Sequence, residues 1–102
     1  MSGGRAPKRK GVRVERELVH ELHRLGLVCI RVPLSGAVGG VWSGDIHLEL
    51  RGETFRIEVK ARREFRTLHG WLAGADLLLL KADRQPPLAV LPLAVLARLL
   101  RP

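Results

Sequence analysis

The sequence predicts an α/β fold, and three observations carry that expectation. Apolar residues recur at helical spacing near the start and again at the end of the chain. Two short central segments alternate polar and apolar residues. Gly or Pro punctuates most of the boundaries between runs. Taken in order, the segments read α-β-β-β-α-β-β-α, which implies a mixed β-sheet flanked by helices. At 102 residues the chain has room for one modest core, and self-association would help to stabilise it.

Residues 1–10, MSGGRAPKRK, are rich in Gly and cations and lack apolar periodicity, so a disordered basic arm is expected before a single domain over 11–102. Val14, Leu18, Leu22 and Leu25 fall on one helical stripe, and Gly26 offers a stop. Leu27–Val32 is a β-prone run halted by Pro33, and a Gly- and Ser-rich loop occupies 35–44. Asp45–Leu50 and Thr54–Lys60 alternate around Arg51-Gly52, a plausible two-residue turn. That turn sets Leu50 opposite Glu53, Leu48 opposite Phe55, Ile46 opposite Ile57 and His47 opposite Arg56. Continued outward, it puts Asp45 opposite Glu58 and Lys60 opposite Ser43. Phe65–Ala73 reads as a short helix with Phe65, Leu68, Trp71 and Leu72 on its apolar side. Leu77–Leu80 suits a buried strand, Pro86-Pro87 a turn, Leu88–Leu91 a strand and Leu93–Leu100 a closing helix.

Charge narrows the function classes. The net charge is +8, from 18 Lys and Arg against 10 Asp and Glu, and such a field attracts polyanions. Most of the cations are Arg, suited to bidentate phosphate contact. The lone cysteine, Cys29, has no intrachain partner and lies in an apolar run, as a buried thiol in a reducing compartment would. No apolar h-region follows the basic N-terminus and no run is long enough to span a bilayer, so a cytoplasmic protein without membrane contact is expected.

Two carboxylates facing each other on a sheet repel, and such a pair is tolerated when a divalent cation lies between them. Mg²⁺ takes a few carboxylate oxygens, keeps several waters and draws further ligands from phosphate. Lys60, two residues beyond Glu58, shares its face and can orient a water or stabilise transition-state charge. The spacing Asp-x12-Glu-Val-Lys has the form of the PD-(D/E)xK nuclease signature, with Gly44-Asp45 in place of Pro-Asp. Spacing alone is equally compatible with a solvated hairpin face of alternating charge.

The N-terminal half adds motifs in order: Lys10-Gly11, Glu15-Arg16-Glu17-Leu18, Gly26, Arg31 and Ser35. Together with Asp45 and Ile57-Glu58-Val59-Lys60, the stretch from about residue 8 to 61 resembles the archaeal-type Holliday junction resolvases. The resemblance implies a restriction-endonuclease-like fold and a homodimeric, Mg²⁺-dependent enzyme (Mn²⁺ as substitute) that cuts four-way DNA junctions with paired nicks. By that resemblance Glu15, Asp45 and Glu58 are catalytic carboxylates that hold the metal with the Val59 carbonyl, and Lys60 is the catalytic lysine. Arg16, Arg31 and Ser35 match positions near the DNA backbone, and Lys8, Arg9, Lys10 and Arg13 add phosphate contacts. The loop before Asp45 is longer than the family pattern, and the region after Lys60 is shorter, its interface helix reduced to 64–73.

Two other readings fit part of the pattern: a related nuclease acting on flaps, nicks or other branched DNA, and a non-catalytic DNA-binding module. His20 and His23, three apart on a helix, read as solvated surface, and His47 as paired with nearby polar groups. Trp42 suits either packing or stacking at an unpaired junction centre. Phe65 and Trp71 suit a core or dimer interface.

Overall fold

In a computed structural model of the chain, the backbone is described for residues 5–32 and 45–101 and side chains for 11–32 and 45–101. Ser35, Trp42 and Ser43, with the rest of the Gly-rich loop, lie outside the described residues. The elements run α1 (Arg5–Arg24), β1 (Val28–Arg31), β2 (Ile46–Leu50), β3 (Glu53–Ile57), α2 (Arg66–Leu72), β4 (Leu78–Leu80), β5 (Leu88–Val90) and α3 (Leu93–Leu100). The α/β class and the order of elements are those expected. The chain resolves into two compact units, residues 1–61 and 62–102, each with its own antiparallel sheet.

In the first unit, α1 is 20 residues long. Residues 5–10, expected in a disordered arm, form its first turns. Ala, Lys and Arg are good helix formers, and Pro7 lies where an N–H would have no helical acceptor. The helix ends in a Schellman motif: Gly26 N–H donates to the His23 carbonyl at 2.9 Å and Leu27 N–H to that of Leu22 at 2.9 Å. This closure requires a left-handed residue, and Gly26 has φ of 89°. His23 and Arg24 in the last turn complement the helix dipole.

The three strands run β1-β2-β3, all antiparallel. The β2–β3 register matches the sequence reading from Leu50↔Glu53 to Ile46↔Ile57. Arg51 (φ 53°) and Gly52 (φ 78°) form a turn with both central residues left-handed, as a tight hairpin demands. Leu22, Cys29, Val32, Ile46 and Leu48 are buried together with His47, so central strand β2 is covered on both faces. Helix α1 covers one of them: the Cys29 thiol lies 3.9 Å from the Val19 carbonyl oxygen, and burial raises its pKa above the ordinary 9.0.

In the second unit, β4 and β5 pair antiparallel from Leu78↔Val90 to Leu80↔Leu88. Phe65, at the N-cap of α2, and Leu68 and Leu72 within it line a cleft with Val90, Leu91 and Pro92. Of α3, Ala97 is buried. The Leu77–Leu80 run, expected to be buried, is not: Leu79 is 67% exposed and Leu77 is also open. Leu79 and its cross-strand partner Ala89 are both exposed, so the face of the hairpin that they share is open.

Candidate active site

Of the sequence-predicted residues, Arg31, Asp45, Glu58, Val59 and Lys60 lie at one end of the three-stranded sheet, and Glu15 contacts that end through Arg31. β1 brings Arg31 opposite Ile46, and Val32 N–H donates to the Asp45 carbonyl at 2.9 Å, which places Asp45 just beyond the first residue of β2. β3 delivers Glu58, Val59 and Lys60 just past its last residue, Ile57. α1 brings Glu15 onto Arg31, with Glu15 Oε1 accepting from Arg31 Nη1 at 3.2 Å.

Asp45 does not continue the ladder in step. A regular extension of Ile46↔Ile57 would set it against Glu58, but its N–H donates to the Ile57 carbonyl at 2.8 Å, one residue off register. This is the geometry of a β-bulge, which re-aims a side chain at a strand end. The Asp45 carboxylate then accepts the Val59 N–H at Oδ2, 2.7 Å away. Asp45 thus holds the backbone on both sides of Glu58. The offset relieves the head-on apposition of carboxylates that strict register would impose.

Glu58 and Lys60 form an ion pair of 3.1 Å with side chains 58% and 74% exposed. At that exposure the pair contributes little stability, so both groups are available to a ligand at small cost. Glu15 and Arg31 contrast with them, being 13% and 26% exposed. Among the described residues no group of three or more His, Cys, Asp or Glu stands ready to hold a metal. The donor set still fits Mg²⁺, which is held by one or two carboxylates plus waters and substrate phosphate. Asp45 and Glu58, with the Val59 carbonyl, would be the ligands.

Of the phosphate-contact candidates, Arg13 and Arg16 are exposed on α1, and Arg13 lies 4.0 Å from Glu17. Lys8, Arg9 and Lys10 lie in the same helix, and their side chains are outside the described set. His20 and His23 are exposed on α1, as expected, and His23 Nε2 lies 2.8 Å from the Cys29 carbonyl oxygen, which ties α1 to β1. Sequence reasoning had no signal for the Glu15–Arg31 pair, whose members are 16 positions apart on different elements.

The profile of the archaeal Holliday junction resolvases matches residues 6–69, more than half of the chain, from α1 into α2 and across all four candidate catalytic residues. The chain belongs to that family. Membership makes it a resolvase-type nuclease and branched DNA its class of substrate. No curated protein and no solved structure matches the chain. Among the described residues, no helix of this resolvase-family chain is long and apolar enough to cross a membrane.

Proposed function

We propose that the protein resolves four-way DNA junctions by Mg²⁺-dependent phosphodiester hydrolysis, each protomer of a homodimer making one of two paired nicks. The observation that carries this reading is the bulge at Asp45, which fixes one carboxylate across the backbone that presents Glu58 and Lys60. Asp45 and Glu58 are the metal ligands, joined by the Val59 carbonyl and, from α1, by Glu15. A bound divalent cation polarises the phosphate and lowers the pKa of a coordinated water. Mn²⁺ has a similar preference for oxygen ligands and would substitute.

The chain's own groups supply the rest. Val59 N–H fixes the rotamer of Asp45, so this ligand is preorganised before substrate arrives. Lys60, exposed and paired with Glu58, supplies a cation to charge developing on the phosphate. Lys8, Arg9, Lys10, Arg13, Arg16, Arg31 and Ser35 are assigned to the DNA backbone. Phosphate contacts set position and not sequence, so choice of substrate rests on the shape of the branch.

Support for a homodimer comes from the second unit, where Trp71, Leu77, Leu79, Leu88 and Leu99 are all exposed. So many large apolar side chains on a unit of this size suit an interface better than free solvent. The test is cleavage of a synthetic four-way junction and of linear duplex of the same arms, with Mg²⁺ or EDTA. Metal-dependent, paired nicks on the junction alone are expected. Equal cutting of flaps, nicks and junctions would instead mark a nuclease of broader substrate, and tight binding without cutting under any metal would mark a binding module.

A further inference from the structure

The turn end of the β4–β5 hairpin carries a groove of about 540 Å³, lined by none of the candidate catalytic residues. Trp71, in the last turn of α2, lines it together with Leu80 and Leu88, a cross-strand pair on one face of the hairpin. Trp71 is 61% exposed, so much of its indole is open to solvent. Pro86 extends the apolar lining, and Lys81 and Gln85 bring polar groups from the connection between the strands. That connection contains a turn in which Gln85 N–H donates to the Ala82 carbonyl at 3.4 Å. Arg84, in the third position of the turn, has φ of 61°, a setting that favours Gly or Asn. The backbone thus holds an arginine beside the groove where a smaller residue would fold with less strain.

An open aromatic face with cations beside it is the composition of a site for single-stranded nucleic acid. Bases stack on such a ring whatever their identity, and the cations take the phosphate. Lys and Arg outnumber Asp and Glu in residues 62–102, so this unit attracts an anion although Asp83 shares the turn. The volume of the groove falls within the range of pockets that take small ligands. Leu79 points to the other face of the hairpin from Leu80 and Leu88, because neighbours on a strand alternate. The groove and the open face around Leu79 are therefore separate surfaces of this unit.

We propose that the groove binds one unpaired nucleotide of DNA, its base stacked on Trp71 and its phosphate held by Lys81 and Arg84. Gln85, whose amide both donates and accepts, meets the edge of the base without choosing among bases. The Lys81 ammonium donates to the Ala82 carbonyl at 2.5 Å, and its other N–H groups serve the phosphate. This inference deepens the branched-DNA reading above and rests on it for the class of ligand. A base can leave its stack at a branch point, whereas continuous duplex offers Trp71 no free face.

The experiment follows Trp71 fluorescence as a short oligothymidylate is added in EDTA, so that no metal enters the readout. Trp42→Phe leaves Trp71 the sole tryptophan of the chain. Saturable quenching is expected. Trp71→Ala, read by anisotropy of a labelled oligothymidylate, is expected to bind about tenfold more weakly. Trp71→Phe keeps a stacking face and restores most of that affinity. For linear duplex, Trp71→Ala stays within about twofold of wild type, because phosphate contacts carry that binding. The double variant Lys81→Gln/Arg84→Gly lowers the slope of log affinity for oligothymidylate against log salt by up to about 1.4. Its Gly relieves the turn, so the loss is not one of folding. Three results overturn the site alone: Trp71 fluorescence indifferent to oligothymidylate, equal loss of duplex and single-strand affinity in Trp71→Ala, or a smaller assembly than wild type in sedimentation of Trp71→Ala. A wild-type chain that binds neither duplex nor oligothymidylate overturns the nucleic-acid reading, and this site with it.

Discussion

Asp45 carries two duties with one side chain: its backbone closes the sheet on Ile57 while its carboxylate fixes Val59. Its replacement by Asn keeps shape and removes charge, so the fold should persist, with a change in unfolding free energy of about 1 kcal/mol or less. Denaturant melts of Asp45→Asn check this, and collapse of the fold would show that the carboxylate is chiefly structural. Cys29 is inert for a related reason of surroundings. Burial raises its thiol pKa, so the neutral form is held in the folded state and stability is lost as pH climbs from the unfolded value of about 9 toward the folded one. A thiol reagent at pH 8 is therefore expected to modify Cys29 only after unfolding, and rapid labelling of native protein would contradict the packing described. Two carboxylates and a lysine at this spacing fit a solvated hairpin face equally well. What singled them out in the sequence was the ordered set of motifs before them, from Lys10-Gly11 to Ser35. The partners of Glu15 and Asp45 were not legible there, since a one-residue offset and a helix-to-strand ion pair leave no trace in local pattern.

At the level of elements, the ends of α1 and the β2–β3 hairpin are the clearest products of sequence. Gly26 terminates the helix because the Schellman closure needs φ of 89°, which costs a residue with a Cβ. No side chain or backbone crowds the Cβ that Ala would add, so the cost of Gly26→Ala is conformational, about 1 kcal/mol. Thermal melts should read that loss. Arg51 bears the opposite imbalance: φ of 53° is a strained setting for Arg, and Asn tolerates it better. Arg51→Asn is expected to stabilise the chain by about 0.5 kcal/mol, and a destabilised variant would argue that Arg51 makes contacts beyond the turn. Alternation set the hairpin register correctly because one slip would turn Ile46 and Leu48 out of the core. The same alternation could not show where the ladder ends. The first turns of α1 were missed for another reason: cations and Pro7 hide helix propensity behind a lack of apolar period.

For the molecule as a whole, charge and exposed apolar surface are the two properties that bear on assembly and substrate. The basic run on α1 should contribute to DNA affinity through counterion release. Replacing Lys8, Arg9 and Lys10 with Gln is expected to reduce the slope of log affinity against log salt by up to about 3. An unchanged slope would remove this segment from the interface. In the second unit the Leu-rich strand reads from sequence as core, yet Leu79 is open to solvent. Composition reports that such a strand wants both faces covered, but not whether the cover comes from the same chain. If a second copy supplies it, Leu79→Glu should turn a dimer into a monomer in sedimentation, with one nick per junction replacing two.

The central claim is that Asp45 and Glu58 cut DNA and do not merely sit near it. Single-turnover cleavage of a four-way junction in Mg²⁺ by wild type, Asp45→Asn and Glu58→Gln, each checked for junction binding in EDTA, tests it most directly. The account predicts wild-type cleavage, a loss of at least about 100-fold in each variant, and binding within a few-fold of wild type. Variants that bind and still cut at the wild-type rate would contradict it and leave the carboxylates as parts of the sheet.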